Sequence, residues 1–480
     1  MSFSKFFVKK SVATIQAESQ KGELKRTLTA ANLVSLGIGC IIGAGIFVMT
    51  GQAAANYAGP AVMLSYVLAG LCCVFAALCY AELAAMLPVS GSAYSYAYAS
   101  MGEVIAWIMG WLLLLEYGIA SSTVAVGWSG YVVSFLKDFG IMLPDAWTQS
   151  TLMIDEAHNI INTGAFNLPA FLGICAVTAL LIIGVKESAT VNNVIVFIKV
   201  SVVIMFILAG FFYINADNWS PFIPEATEDG RYGWNGILRA AGIVFFAYVG
   251  FEAVSTAAQE AKNPQRDMPI GILGSLAICT VLYMLVCAVL TGIVPYTMLN
   301  VPDPMAVAVD HIGIGWLSFF IKVGAIAGLS SVMMVLLYGQ TRIFYTMSRD
   351  GLMPLSFAKV HRKFQTPWVN TLIVGALVAI VASATPISIL GDVVSLGTLT
   401  AFAIICFTVL YLRKTEPSLA RPFRAPGGAM TPVFGILLCA YLIYGLLSNP
   451  VTVKFYVVYL IIGIAYYFLY SVRHSKLQKA

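Results

Sequence analysis

The chain has 480 residues, of which 60% are hydrophobic and only 10% charged, with a formal net charge of +5. Soluble globular proteins carry about 25% charged residues, so this composition cannot cover a particle dissolved in water. It excludes soluble enzymes, nucleic-acid-binding modules and disulfide-stapled secreted domains. It predicts an all-α polytopic membrane protein, because each apolar run of about 20 residues can cross a bilayer as a helix.

Apolar spans organise the whole chain. The twelve predicted spans are residues 31–56, 61–86, 103–134, 168–184, 191–214, 234–258, 269–294, 315–345, 369–384, 388–412, 431–448 and 453–473. Placing the N-terminus in the cytoplasm puts 21 of the 27 Lys and Arg residues on the cytoplasmic side, in agreement with the positive-inside rule. The sequence therefore predicts twelve transmembrane helices in the plasma (inner) membrane, with both termini cytoplasmic.

The residues that commonly bind metals are dispersed. Nine cysteines lie in apolar runs, and four histidines are scattered along the chain. Buried thiols behave as small hydrophobic groups, and no cysteine stands at a zinc-type spacing from a histidine. The sequence therefore predicts neither a metal site nor a cofactor.

The first span is rich in glycine, which occurs at positions 37, 39, 43, 45 and 51. Each glycine costs about 1 kcal/mol relative to alanine in an exposed helix, so the cluster needs an explanation. One explanation is close helix packing through Gly39-x-x-x-Gly43. The other is an unwound segment at Gly43-Ala44-Gly45. Irregular backbone at membrane depth is tolerated only where it lines a polar cavity or is buried in protein, so an interruption there would mark a binding site.

The sixth span contains a second candidate break, at 246–250. Gly45 and Gly250 each lie in the first span of a block of five, and an odd number of spans makes the second block enter the membrane from the opposite side. Interrupted segments at corresponding places in two halves indicate the binding site of a transporter. The predicted divisions are a cytoplasmic tail (1–29), a first inverted repeat (30–214), a second inverted repeat (234–412), a cytoplasmic loop (413–430), and two further helices with the C-terminus (431–480).

Several motifs in this order carry a family resemblance. They are GCIIGAGIFVMTG, PVSGSAYSYAYA (88–99), FFAYVGFEAVSTAAQEAKNPQRDMP (245–269), YGQTRIFYTMSRDGLMP (338–354) and RPFRAPGG (421–428). Over residues 28–472 the chain resembles the amino acid–polyamine–organocation superfamily, and more closely its bacterial cationic amino acid transporter-like permeases. The resemblance implies a LeuT-like fold of ten core helices plus two, and secondary active transport of L-amino acids. Residues 135–167 contain no cysteine, so we expect no disulfide-linked subunit of the kind that partner-linked exchangers carry.

The breaks suggest how an amino acid binds. If the first helix is interrupted at Gly43, Ala44 and Gly45, free N–H groups and the positive end of a half-helix meet the substrate carboxylate. The substrate ammonium would meet carbonyls freed at Ile41, Phe245, Phe246 and Tyr248. Ala247, between them, is a further substrate-binding candidate. This arrangement binds the part that all α-amino acids share.

The pocket for the substrate side chain is expected to be mostly apolar. We expect Phe251 to act as a lid and Met334 to line the pocket, with plain core packing as the competing interpretation. Glu116 lies in an apolar run, where a carboxylate costs at least about 2.5–3.5 kcal/mol, so it faces either a cavity or a structural partner. The resemblance places such a glutamate near the site. A cationic substrate would need Glu116 in the pocket, and we favour neutral small or branched amino acids.

Lys199 is a second isolated charge inside a span. In proton-dependent transporters of the fold that the chain resembles, a lysine ammonium occupies the place where sodium-driven relatives hold an ion, and Lys199 matches it in position. The resemblance implies proton coupling without sodium, with the carbonyls of Gly39 and Cys40 and a hydroxyl of Ser330 or Ser331 as neighbours. The alternative is a permanent structural cation.

Other functions remain as alternatives. One is an exchanger specific for cationic amino acids, and another is a sensor of the same fold that binds an amino acid without transporting it. An enzyme is disfavoured because no Ser/His/Asp set converges in the sequence. An ATP-driven pump is disfavoured because G-x-x-x-x-G-K-[ST] is absent from the sequence. The predicted partners are thus an amino acid, a proton and the lipid bilayer, with no nucleic acid.

Overall fold

Apolar helices build most of the fold. The computed structural model describes residues 8–10, 27–87, 92–154, 159–184, 189–227, 230–258 and 260–479. Most of the predicted N-terminal tail, the start of the 88–99 motif and Lys186 lie outside the described residues. The longer α-helices are α1 (Ala30–Ile41), α2 (Val62–Met86), α3 (Ser92–Ser100), α4 (Glu103–Asp138), α5 (Leu168–Ile183), α6 (Ala189–Phe211), α7 (Gly233–Val244), α8 (Pro264–Ile293), α9 (Pro304–Ile312), α10 (Gly315–Arg349), α11 (Trp368–Ala384), α12 (Ile387–Thr415), α13 (Met430–Leu446) and α14 (Pro450–Tyr466).

Shorter elements connect these helices. The π-helical turns are Gly45–Met49, Ala54–Ala58 and Tyr467–Ser471, and the short α-helical turns are Thr50–Ala53, Val472–His474 and Lys476–Lys479. The 3-10 turns are Gly59–Ala61, Asp145–Trp147, Ala216–Trp219, Phe245–Tyr248, Phe251–Ala257, Tyr296–Leu299 and Leu355–Ala358. The strands β1 (Leu152–Ile154) and β2 (Ile160–Asn162) pair antiparallel, with Leu152 opposite Asn162.

The helices have the length and composition of a polytopic membrane protein. Within the described residues, eight helical stretches are long and apolar enough to cross a membrane, and four shorter apolar helices accompany them. Each of the twelve predicted spans contains one of these stretches or part of one. The outer faces of the bundle expose large apolar side chains such as Phe197, Leu208 and Phe212, as expected where lipid is the solvent.

The helix α4 forms the centre of the bundle. It packs against α10 and α12 most extensively and also against α5 and α11. Nearly all its side chains between Leu112 and Gly127 are therefore buried. A second group is formed by α8 with α1 and α2. This packing buries the polar residues of that stretch, which include Glu116.

Both terminal segments lie at one end of the bundle. The ammonium of Lys10 is 3.1 Å from a carboxylate oxygen of Asp350, and the N–H of Lys476 donates to the Asp350 carbonyl at 3.1 Å. We call this end the terminal side. The β1–β2 hairpin and the C-terminal end of α4 lie at the opposite side.

Candidate functional site

The first predicted break is present in the backbone. The helix α1 ends at Ile41, and Ile42 adopts an extended conformation with ψ of 99°. Helical structure resumes with the π turn Gly45–Met49. The chain therefore changes direction at Ile42 and Gly43, within the first apolar span.

The second predicted break is also present. The helix α7 ends at Val244, a 3-10 turn covers Phe245–Tyr248, and Val249 is extended. Gly250 then has φ of 118°, in the left-handed region. A Cβ atom on Gly250 would lie 2.8 Å from the carbonyl oxygen of Cys40. Glycine is therefore required by backbone conformation and by the close approach of α1.

The two breaks lie against each other. A Cβ atom on Gly45 would be 2.1 Å from the Cα of Ala247, so the two backbones are in van der Waals contact there. The hydroxyl of Tyr283, on α8, lies 2.8 Å from the carbonyl oxygen of Ile41 and 3.0 Å from that of Ala247. One buried side chain therefore satisfies a carbonyl group freed at each interruption.

Two more hydroxyl groups hold the start of the second half-helix. The carbonyl oxygen of Gly45 accepts hydrogen bonds from Thr50 at 3.3 Å and from Tyr66 at 3.2 Å. The Thr50 and Tyr66 hydroxyls are also 2.7 Å apart. Buried backbone oxygens without partners are costly in a membrane protein, and these contacts remove that cost at Gly45. The sequence does not single out Thr50, Tyr66 or Tyr283. Their only distinguishing feature there is that each is a polar residue within an apolar span.

A small cavity lies beside the breaks. Its volume is about 20 Å³, room for about one water molecule. The cavity is lined by Cys40, Ile41, Gly43, Ala44, Gly45, Ala120, Val124, Phe246, Val249, Val332 and Leu336. The side chains among them are almost all apolar. An amino acid requires more space, so the helices must separate for a substrate to enter this cavity.

Two predicted pocket residues are placed elsewhere. Phe251 is fully buried and packs against Tyr80 and Phe402, with ring centroids 5.9 and 5.1 Å apart. Phe246 is the aromatic residue that lines the cavity. Phe251 therefore does not line this cavity, and its contacts fit the competing core-packing interpretation, while its role as a lid stays a prediction. The sequence does not show which of the two phenylalanines at this break faces the cavity.

Met334 is the other predicted pocket residue that does not line this cavity. It is partly exposed and is not among the residues lining the cavity, whereas Val332 and Leu336 are. Positions four apart share a face of a helix, and Met334 lies between them, on another face of α10. The helix was correctly predicted, but its rotation about its own axis was not.

Lys199 lies against the first break. It is 1% exposed, and its ammonium donates to the carbonyl oxygen of Gly39 at 2.9 Å. A Cβ atom on Gly328 would be 3.2 Å from the Lys199 side chain, so α10 packs on the other side. The Ser331 hydroxyl donates to the carbonyl of Gly328 at 2.9 Å. The lysine therefore bridges α6, α1 and α10.

Ser330 has a different set of contacts. Its hydroxyl accepts a hydrogen bond from the Trp128 indole at 2.9 Å and donates to the carbonyl of Ile326 at 2.8 Å. Ser330 therefore links α10 to α4. Of the two candidate serines, Ser331 is the one that bonds to the backbone against which Lys199 packs.

Glu116 and Glu252 form a buried carboxyl pair. Both are at most 1% exposed, and their carboxyl groups are direct neighbours, with Thr398 next to Glu116. One oxygen of Glu252 accepts the Gly250 N–H at 2.9 Å. In the described part of the chain, the other three carboxyl oxygens have no hydrogen-bond donor. Glu116 is not among the residues that line the small cavity.

A wide chamber opens on the side opposite the termini. Its volume is about 760 Å³, and polar or charged residues such as Gln52, Ser129, Asp138, Asp303 and Asp310 line it. It includes Val126, which is less than one helical turn along α4 from the cavity residue Val124. The chamber therefore approaches the breaks from that side.

A buried cation lies beside the chamber and pairs with two of the carboxylates that line it. Lys322 is fully buried and donates to both carboxylate oxygens of Asp138 at 2.8 Å and to Asp310 at 3.0 Å. Asp303, in the loop before α9, has its pKa raised by burial to about 6, although a hydrogen bond to Ser134 and the charge of Lys322 oppose this shift.

These features define a polytopic helical transport protein, with two interrupted helices that meet beside a small cavity. The chain belongs to the amino acid permease family, which matches residues 28–467. It is an amino acid transporter of the superfamily that its motifs resemble.

Individual relatives cover nearly the whole chain. A methylthioribose transporter of Bacillus subtilis (strain 168) is 46% identical over 99% of this chain and 100% of its own length. The branched-chain amino acid permease BcaP of the same organism is 46% identical over 98% of this chain and 99% of its own. The vacuolar cationic amino acid transporter 4 of Arabidopsis thaliana is 38% identical over 82% of this chain and 64% of its own.

Proposed function

We propose that the permease carries neutral, branched-chain amino acids and binds them at the two breaks. In this proposal the N–H groups of Gly43, Ala44 and Gly45 bind the substrate carboxylate. The first N–H groups of a helix have no partner within that helix, and its N-terminus attracts anions. The observation that carries the proposal is the meeting of both interrupted backbones at one small, apolar-lined cavity.

The substrate ammonium binds on the other side of the cavity, near the second break. Phe245, Phe246, Ala247 and Tyr248 supply the backbone there. The carbonyls of Ile41 and Ala247 already accept the Tyr283 hydroxyl, but a carbonyl oxygen has a second lone pair. Tyr283 thereby fixes the direction of both carbonyl groups toward the ammonium.

The lining of the cavity supports a neutral substrate. Val124, Val332 and Leu336 present only apolar groups, and Glu116 is engaged with Glu252 instead of lining the cavity. A cationic side chain would remain unpaired against this lining at a high cost. The name of the BcaP relative agrees with a branched-chain substrate. The methylthioribose relative is equally similar, so methylthioribose is the second candidate.

A proton drives the transport in this proposal, and Lys199 carries it. The buried ammonium donates a hydrogen bond to the Gly39 carbonyl on α1. In this proposal α1 moves when the site opens toward the terminal side. Burial disfavours a charged lysine, whereas a carbonyl acceptor favours it. Movement of α1 would take the Gly39 carbonyl away from the ammonium and so favour release of the proton.

The carboxyl pair is the second candidate for the coupled proton. Two ionised carboxylates in direct contact repel each other, and a shared proton removes the repulsion and supplies a donor. Glu252 follows the second break directly, so that movement of the 3-10 turn Phe251–Ala257 would separate it from Glu116. Substituting Lys199 and Glu116 separately by glutamine distinguishes the two candidates.

The proposed mechanism is alternating access within a LeuT-like fold of twelve transmembrane helices. Residues 30–214 and 234–412 form the inverted repeats, 413–430 a loop, and 431–480 the additional helices. The breaks at Gly43 and Gly250 support this division, since each lies in the first span of its repeat. The wide chamber opposite the terminal side supports an outward-facing vestibule. With the termini cytoplasmic, the chamber opens outside the plasma membrane.

Reconstitution in liposomes tests the proposal. Labelled leucine uptake should rise with an inward proton gradient, persist when potassium replaces sodium, and be inhibited by isoleucine and valine but little by arginine or lysine. Methylthioribose serves as the second competitor. Strong inhibition by arginine, or uptake that requires sodium, contradicts the proposal. Binding of leucine without accumulation favours the sensor.

A further inference from the structure

The linker between α10 and α11 carries a cluster of positive charge. Lys359, Arg362 and Lys363 are all exposed, and His361 lies among them. The sequence contains no Asp or Glu from residue 351 to residue 391. The basic cluster, defined as 359–363, therefore lies on the terminal side in a stretch of sequence that carries no acidic residue of its own.

Three other basic residues on the terminal side have acidic partners. Arg413 and Arg421 both pair with the buried carboxylate of Glu82, and Lys10 pairs with Asp350. Within the described residues, no ion pair involves the three cations of the basic cluster. Their charge is available to an external anion.

The basic cluster stands at the edge of a lipid-facing surface. Trp368 begins α11 and is 38% exposed, and Leu355 in the same linker is 67% exposed. On α11, the apolar side chains of Leu372, Leu377 and Ile380 are exposed. Tryptophan is enriched at the boundary between hydrocarbon and water. The cations thus stand next to an exposed tryptophan and at the end of an exposed apolar helix face.

Further hydrogen-bond donors converge on the cluster. The Nδ1 atom of His361 accepts the N–H groups of Lys363 and Phe364 at 3.2 Å each. The proton of the neutral ring is therefore on Nε2, which can donate to a ligand. The positive N-terminal end of α11 adds to the field.

We propose that the basic cluster and Trp368 bind the headgroup of an anionic phospholipid, whose acyl chain lies along α11. A basic pocket beside transmembrane helices has the chemistry that recognises such headgroups. Lys359, Arg362 and Lys363 pair with the phosphodiester, and His361 donates to it. The site is independent of the amino acid carried and of the coupled ion.

Native mass spectrometry of the purified, delipidated protein tests this site. Titrations with dioleoyl phosphatidylglycerol and with dioleoyl phosphatidylcholine measure the affinity for each lipid. Both are carried out on the wild type and on the triple variant Lys359→Gln, Arg362→Gln, Lys363→Gln. We expect the wild type to prefer phosphatidylglycerol. The variant should bind it roughly 100-fold more weakly, at about fivefold for each charge removed. All three side chains are exposed, so the fold should be retained, which gel filtration checks.

A matched variant separates a site from diffuse attraction. The control is the triple variant Lys414→Gln, Arg473→Gln, Lys476→Gln. It removes the same amount of charge from exposed positions on the same side. This control should keep the wild-type preference. Equal weakening in both triple variants, or no preference for phosphatidylglycerol in the wild type, overturns the proposal. Displacement of the lipid by inorganic phosphate at equal concentration also overturns it, because the acyl chain would then contribute nothing.

Discussion

Gly45 and Ala247 join the two halves of the site through backbone contact, since a Cβ atom on Gly45 would lie 2.1 Å from the Cα of Ala247. One residue follows the first break and the other lies within the second. Neither break can therefore shift without displacing the other. A substrate held by one interrupted helix is positioned at the same time relative to the other.

Substitution at Gly45 should damage the fold, whereas substitution at Gly43 should damage binding. The Gly45→Ala side chain has no room against Ala247, so we expect a loss of folded protein. A Cβ atom on Gly43 would contact two methyl groups of the Val332 side chain at 3.3 Å and no backbone atom, so a shift of a few tenths of an ångström accommodates it. Gly43→Ala should fold and fill part of the cavity of about 20 Å³. Size-exclusion yield and leucine binding distinguish the two effects.

Gly45 is therefore a poor position at which to test the site. A bulky residue there would disturb packing as well as binding, so lost uptake in Gly45→Val is not a test of the site. Gly43→Ala is the informative variant. Normal leucine affinity in well-folded Gly43→Ala would contradict a substrate carboxylate at the first break.

Phe246 and Phe251 should give opposite results when each is changed to alanine. Phe246 lines the cavity, so Phe246→Ala should raise the KM for leucine while most protein remains folded. Phe251 packs against Tyr80 and Phe402, and truncating a buried phenylalanine costs about 3–5 kcal/mol. Phe251→Ala should therefore lower thermal stability. A higher KM with unchanged stability in Phe251→Ala would restore the lid interpretation.

The sequence predicts the breaks because glycine clusters are costly inside apolar helices. It also predicts which helices form, since long apolar runs have few alternatives in a membrane. It does not predict which face of a helix meets the cavity. Met334 illustrates this limit, because the hydropathy of α10 is similar on all faces and only packing selects Val332 and Leu336.

The hydroxyl groups around the breaks show a second limit. Tyr66 and Tyr283 are far apart in sequence from the carbonyls that they satisfy at Gly45 and Ile41. No local pattern connects a tyrosine in one helix with an unpaired carbonyl in another. Lys199 was predictable because a charge within an apolar span is rare, whereas tyrosine is common there.

Lys199→Gln should separate transport from coupling. The amide can still donate to the Gly39 carbonyl but cannot carry a proton at neutral pH. We expect exchange of external labelled leucine for internal leucine to continue, and accumulation driven by a proton gradient to be lost. Lys199→Arg is the control for charge, since arginine stays protonated, and it should also lose accumulation. Accumulation that survives in Lys199→Gln would assign the coupled proton elsewhere.

Glu116→Gln tests whether the carboxyl pair of Glu116 and Glu252 carries the coupled proton instead of Lys199. A glutamine donates permanently to Glu252 and mimics the shared proton without titrating. If Lys199 alone couples transport, Glu116→Gln should fold well and retain accumulation driven by the proton gradient. Loss of accumulation with exchange intact would identify the pair as the proton carrier. Glu116→Leu would leave Glu252 unpaired and should reduce the folded yield.

Asp303 should make the stability of the protein depend on pH. Its pKa in the folded protein is about 6, above the ordinary value of about 3.9 for aspartate. Between these values the folded state binds more protons than the unfolded state, so stability falls as pH rises through this window. Above pH 6 the partly buried carboxylate is ionised at a cost of up to about 3 kcal/mol.

Asp303→Asn removes this titration and can still accept the hydrogen bond from Ser134. The apparent Tm of the variant should match the wild type near pH 4 and exceed it by several degrees at pH 7 and 8. Scanning fluorimetry in detergent from pH 4 to pH 8 measures the difference. Asp217→Asn, at an exposed position in another loop, is the control and should follow the wild-type curve. A plot of apparent Tm against pH for Asp303→Asn that runs parallel to that of the wild type would contradict this prediction. Asp303 would then ionise without a cost in stability, in a chamber beside Lys322 that is well hydrated.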